Sequence, residues 1–268
     1  MARMHYYSHR GRHAHPITLW HRIFSGFLVP FILLVIAAIV AGGATFAPTY
    51  TLETGTLIAA LGASVVRLLV AYLISLAIGV PLGFIAEGNR KLEAFLLPVY
   101  DVLESIPVLA FFPVVILFFV RSGSLEGAAL FILVFSMVWN IAFSTIGGLK
   151  VIPRDVINAG RVFGLSRMQR LFTVELPALF PILVTGSILA LADGWNIVIV
   201  AEALHAYAPA SANAGDLFGI GSILVTAGAH GDNATLIYAL LILVAVIAAI
   251  NVFLWQPLLA RAERYKFE

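Results

Sequence analysis

Six times along this chain an apolar run extends far enough to cross a bilayer, at about residues 23–45, 57–86, 92–120, 127–146, 176–201 and 234–259. A helical span needs ~20 apolar residues at ~1.5 Å rise each. Inside hydrocarbon each such segment must satisfy its own backbone polar groups, which a helix does. The expected fold is therefore an all-α membrane protein with six transmembrane helices. Composition agrees, because 61% of the 268 residues are hydrophobic and 11% are charged, against about 25% charged in soluble domains. The mean hydropathy of +1.01 excludes a water-soluble fold. There is no cysteine, which removes disulfides and thiolate metal sites.

About 20 polar and basic residues precede the first run, so a cleaved signal peptide is not expected there. The third run is interrupted around Ser105-Ile-Pro107 and again at Pro113. Prolines remove backbone donors and should kink it, which membranes tolerate where neighbouring helices or water satisfy the freed carbonyls.

The basic residues orient the chain. With the N-terminus in the cytoplasm, fourteen of the sixteen Lys and Arg fall on the inner side: in the first 22 residues, at Arg90 and Lys91, between Lys150 and Arg170, and in the tail 261–268. Arg121 falls outside and Arg67 within a span, while the outer loops carry Glu53, Glu126, Asp216 and Asp232. This arrangement divides the chain into a basic, His-rich segment 1–22, a membrane domain 23–260 and a cytoplasmic tail 261–268. An inner loop is expected at about 150–175 and an outer loop at about 204–233. Within the outer loop Gly219-Ile-Gly-Ser-Ile-Leu-Val225 is too short to span and fits a re-entrant or interfacial helix.

The inner loop is the polar exception in a greasy chain, and it reads as two short helices. Pro153 suits a first turn and Asp155 a positive helix start. Gly164 ends the first helix or bends the chain sharply. Ser166 is a suitable N-cap for a second helix over 167–174, with Pro177 opening the fifth span. A solvated amphipathic loop is the plain alternative.

Asn158-Ala-Gly-Arg-Val-Phe-Gly164, running on to Val174-Glu-Leu-Pro177, resembles the coupling loop of binding-protein-dependent ABC importer permeases, the type I importer class. The family pattern is Glu-Ala-Ala, three residues, Gly, nine residues, then Ile-x-Leu-Pro. Ala159, Gly164, Leu176 and Pro177 fit it, Val174 takes the Ile place, and Arg161 and Ser166 suit the common form. Asn158 stands in place of the Glu and Gly160 in place of the second Ala. Ser64-Val-Val-Arg67, Gly79-Val-Pro-Leu-Gly83, Ser105-Ile-Pro107 with Phe112-Pro113, Trp195 with Glu202, and Gly219-Ile-Gly221 resemble the nitrate, sulfonate, taurine and bicarbonate branch. Gly194-Trp-Asn196 and Val200-Ala-Glu202 are also similar to the duplicated anion permeases, of which this chain would be one unit.

The resemblance implies a fold, partners and a mechanism. Two permease subunits, identical or related, face each other above two ATPase subunits. A coupling helix, here Asn158, Ala159, Gly160, Arg161, Phe163, Gly164, Leu165 and Ser166, lies in a groove on each ATPase. An external binding protein delivers a small solute, for this branch an oxyanion or organic sulfonate. The membrane is the cytoplasmic membrane of a bacterium or archaeon. No G-x-x-x-x-G-K-[ST] stretch occurs, so ATP and Mg belong to the partner ATPase, and no cofactor or nucleic acid is expected on this chain.

Ionisable groups inside spans are costly, by ~2.5–3.5 kcal/mol near the bilayer centre. Arg67, Asp193 and Glu202 therefore need partners or water. Arg67 either attracts an anion on the pathway or fixes packing in an ion pair, and at some ten residues from the outer end it can snorkel. Asp193 fits a structural salt bridge or gate, Glu202 an outer gate or a contact to the binding protein. Trp195 and Asn196 either line the pathway or pack. His5, His9 and His13 recur every four residues, but without nearby carboxylates they suit a lipid-facing basic tail better than a metal site. An ion-gradient-driven secondary transporter is the alternative, kept open by Asp193 and the broken third span. No Ser-His, His-acid or metal arrangement within the spans suggests an intramembrane enzyme.

Overall fold

The computed structural model describes residues 54–121, 124–204 and 215–265. The first expected span and the His-rich segment lie outside the described residues. All regular structure among the described residues is helical: α1 (Thr54–Glu87), α2 (Arg90–Ser105), α3 (Val108–Arg121), α4 (Leu125–Val151), α5 (Arg154–Val162), α6 (Arg167–Glu202), α7 (Ile220–His230) and α8 (Asn233–Tyr265). Four of them, α1, α4, α6 and α8, are long and apolar enough to cross a membrane, and α2 with α3 would make a fifth broken span.

The break in the third run falls at Ile106-Pro107, where the two helices meet at 77°. Pro107 disfavours helical backbone at the residue before it. Ile106 accordingly takes an extended conformation, with φ −75° and ψ 120°.

Helix α4 is the centre of the bundle, with α1 along one side and α6 along the other. Small residues let the backbones close. A Cβ on Gly79 of α1 would lie 2.8 Å from the Ile141 Cβ, and one on Gly83 would enter the Thr145 side chain. On the other side Gly148 faces Leu179, Gly186 faces Ser144 and Gly194 faces Met137. Small residues at such seams are how membrane helices gain packing without a hydrophobic driving force between them. Buried hydroxyls return to their own helix: Ser75 donates to the Ala71 carbonyl and Thr145 to that of Ile141, both at 2.8 Å. The outward faces carry large exposed apolar side chains such as Ile58, Leu73, Phe118 and Phe253. That is the surface expected of a protein solvated by lipid or by a second subunit.

The inner loop differs from expectation at its second half. No separate helix ends near Val174. Arg167 begins α6, which runs without interruption to Glu202. A wide π-type turn at Leu171–Glu175, closed by the Leu176 N–H on the Leu171 carbonyl, carries the chain past Pro177. The same device recurs in α8, where the turn Asn251–Trp255 precedes Pro257. Such turns widen a helix locally without ending it. Helix α8 likewise continues to Tyr265, through part of the segment expected as a tail.

Candidate functional site

Chain connectivity separates two polar regions. Helix α5 joins the end of α4 to the start of α6, so it lies at one end of the bundle. The start of α1, the start of α4, the end of α6 and the start of α7 meet at the other.

At the first end, Asp155 occupies the first turn of α5 and Arg161 the last, both suited to the helix dipole. Gly164 closes the helix in the left-handed region at φ +71°. The N–H groups of Phe163 and Leu165 reach back to the carbonyls of Ala159 and Gly160, each at 3.0 Å, and satisfy the last turn. Ser166 then starts α6 with a capping box: its hydroxyl accepts from the Gln169 N–H at 3.3 Å, and the Gln169 side chain accepts from the Ser166 N–H at 2.9 Å. Arg170 donates to Glu175 at 2.8 Å, and its aliphatic stem covers Gly160. A Cβ at Gly160 would sit 3.5 Å from the Arg170 Cγ, ordinary contact, so the alanine of the family pattern would also fit here. Asn158 and Ala159 are exposed. Val162 and Phe163 are 85% and 82% exposed, two large apolar side chains displayed at the tip of a polar helix. Nearby, Lys150 pairs with Glu93 at 2.5 Å and ties α4 to α2.

At the opposite end Arg67 is turned into the bundle, is 6% exposed and is held in ion pairs. Its Nη1 donates to Glu202, which is fully buried. Its Nε and Nη2 grip Glu126 as a fork, at 2.9 and 2.7 Å. Glu202 also accepts from the Ser64 hydroxyl at 2.9 Å and from the Gly221 N–H at 2.8 Å. Ser64 in turn accepts from the Ile220 N–H at 2.9 Å. Two side chains, from α6 and α1, thus occupy the N-terminus of α7, where free N–H groups favour negative charge. Gly219 and Gly221 leave room for this carboxylate, because a Cβ on either would collide with its surroundings.

Arg67 and Glu202, both expected as pathway or gate residues, are therefore in contact. The other three are not part of that cluster. Asp193 accepts from the Asn140 amide of α4 at 2.5 Å. Trp195 packs half-buried between two apolar clusters, and Asn196 is exposed. Reading the sequence missed Glu126 and Asn140 as partners. The available signal was a lone basic residue in a span with an acid on the same expected side.

Taken together, the apolar helical bundle and the short exposed helix joining two of its spans define an α-helical membrane protein. The family of binding-protein-dependent transport system inner membrane components matches residues 79–264, and the chain belongs to it. It is 34% identical over 140 residues to the bicarbonate transport system permease protein CmpB of Synechococcus elongatus, covering 52% of this chain and 49% of that one. It is 33% identical over 144 residues to the nitrate import permease protein NrtB of Leptolyngbya laminosa, covering 54% and 50%. To the taurine transport system permease protein TauC of Escherichia coli it is 27% identical over 146 residues, covering 54% and 52%. The match spans about half the length of these curated relatives. In three dimensions the chain resembles one from the inward-facing MetNI methionine ABC transporter, with a TM-score of 0.66 and 22% identity, covering 78% of this chain and 97% of that one. The fold is that of a type I importer permease.

Proposed function

We propose that this chain is the membrane-spanning permease subunit of an ATP-driven importer, forming half of the pathway for a small oxyanion or organic sulfonate. Its α5 docks on a separate ATPase, which binds the ATP and Mg. The assembly has two ATPases, a second permease and an external binding protein, in the cytoplasmic membrane of a bacterium or archaeon. Both termini and α5 face the cytoplasm, and the Arg67 cluster faces outside.

One observation carries this reading: a capped, polar helix inserted between two spans presents Val162 and Phe163 almost fully to solvent. Large apolar side chains on a polar tip gain little from water and much from a groove on a soluble partner. The bicarbonate, nitrate and taurine permeases that resemble about half of this chain suggest the solute class. Phe163→Glu tests the docking. The variant chain should remain folded in detergent, since its side chain touches little, but should no longer co-purify with its ATPase or stimulate ATP hydrolysis. Undiminished complex formation would sink the reading.

A further inference from the structure

Three charged groups near the start of α7, Arg67, Glu126 and Glu202, are held very unequally. Glu202 is fully buried and fixed by Ser64, Gly221 and one nitrogen of Arg67. Glu126, on the other side of the same guanidinium, is 58% exposed at the first turn of α4. It nevertheless receives the better half of the guanidinium, the Nε and Nη2 fork. Glu126 satisfies two donors of the buried guanidinium, yet, being more than half exposed itself, it can move into water at a lower cost than Glu202 can.

That side faces an open pocket of about 410 Å³ walled by Gly62, Ala63, Val66, Val70 and Leu130, with Arg67 and Glu126 as its charged lining. A water molecule's share of liquid is about 30 Å³, so a small ion and several waters fit. The walls are apolar, and Arg67, the cation in this lining, is held from behind by Glu202. The edge that holds Glu126 is a planar pair of N–H donors, the geometry that selects two oxygens of one anion.

We propose that the Nε–Nη2 edge of Arg67 is an anion-binding subsite, in which two oxygens of a small oxyanion or organic sulfonate take the place of the Glu126 carboxylate. The inference deepens the importer reading and rests on it for the class of ligand. Charge counting favours exchange over addition. With Glu126 engaged, Arg67, Glu126 and Glu202 sum to −1, which repels a further anion. With Glu126 swung into solvent, the remaining Arg67–Glu202 pair is neutral, and a monoanion restores the original sum. Glu126 is then an internal competitor: it fills the fork between turnovers and helps displace the solute. A transport site needs that balance, since binding must be weak enough to release.

The chain has no cysteine, so Glu126→Cys places a single thiol beside the vacated fork. The full chain carrying Glu126→Cys is reacted in detergent with an anionic sulfonated methanethiosulfonate and with its cationic trimethylammonium counterpart, each rate being normalised to that of a free thiol. The anionic reagent should be favoured about tenfold, because the Arg67 fork is then the charge nearest the thiol and Glu202 lies on its far side. Nitrate, bicarbonate and methanesulfonate at millimolar concentration should slow the reaction several-fold more than equal chloride, and glycerol should not slow it. Adding Arg67→Gln should remove both effects; if that double variant does not fold, the protection measured in the single variant still decides. Absence of charge preference, or protection by chloride equal to that by the oxyanions, overturns the proposal. The labelling needs no ATPase. Failed docking with intact protection would therefore remove the importer reading and leave the site, and intact docking without protection would remove the site alone.

Discussion

The backbone N–H of Gly221 donates to the carboxylate of Glu202 at 2.8 Å, so the last residue of α6 caps the first turn of α7. The contact requires glycine at its donor: a Cβ there would lie 2.5 Å from the Ile199 Cα and 2.8 Å from the Ile199 carbonyl oxygen, both backbone atoms. Gly221→Ala should therefore destabilise the bundle by about 1–3 kcal/mol, the usual range for overpacking. Glu202→Ala should cost more, about 3–5 kcal/mol, because three buried donors, the Ser64 hydroxyl, the Gly221 N–H and the Arg67 Nη1, lose their common acceptor. Thermal unfolding in detergent measures both. The account is wrong if Glu202→Ala melts no earlier than Gly221→Ala.

Gly164 offers a cleaner backbone test at the other end. Nothing lies within 4 Å of where its Cβ would be, yet its φ is +71°. A side chain there is penalised by conformation alone, by about 1–2 kcal/mol for most residues and less for Asn. Gly164→Asn should retain more permease-stimulated ATP turnover than Gly164→Val in the complex with the ATPase. Equal activities would mean that the sharp exit from α5 is unimportant for coupling.

At the seam between α1 and α4, a Cβ on Gly83 would overlap Thr145 and lie 3.0 Å from the Ala142 carbonyl oxygen. Gly83→Ala should cost about 1–3 kcal/mol. Thr145→Ala in the same chain should recover part of the loss, because the two residues share one contact and their effects should not add. Strict additivity in thermal unfolding would place the strain elsewhere.

These sites also mark what the sequence made legible. Spans are visible as long apolar runs, and the turn after α5 is visible because Gly164 and Ser166 each have one natural backbone role. Gly79 and Gly83 stood out as a motif, but only the structure gives the reason, the close approach of Ile141 and Thr145. Pairings across the bundle were hidden. Arg67 and Glu126 are 59 positions apart and Asn140 and Asp193 are 53 apart, and no local periodicity encodes either partner. The missed continuity of α6 has a similar cause. Pro177 reads as a helix start, and the π-type turn that absorbs it depends on backbone bonding that composition does not reveal.

Asp193 separates the two modes of transport left open by the sequence. A carrier driven by an ion gradient needs a membrane acid that changes protonation or ligates the ion during turnover. Here the Asp193 carboxylate accepts from the Asn140 amide, a link between α4 and α6 that an amide in its place can also make. Asp193→Asn should therefore keep ATP-driven uptake in proteoliposomes within about threefold, a loss of under ~1 kcal/mol in activation free energy. Asn140→Leu should be the more damaging change, since it leaves a carboxylate inside the bundle without this donor, at about 1–3 kcal/mol. Uptake of radiolabelled taurine and of nitrate, with and without ATP and with the proton gradient collapsed, provides the measurement. Abolished transport in Asp193→Asn, together with sensitivity to the gradient, would move this chain from the ATP-coupled class to the ion-coupled one.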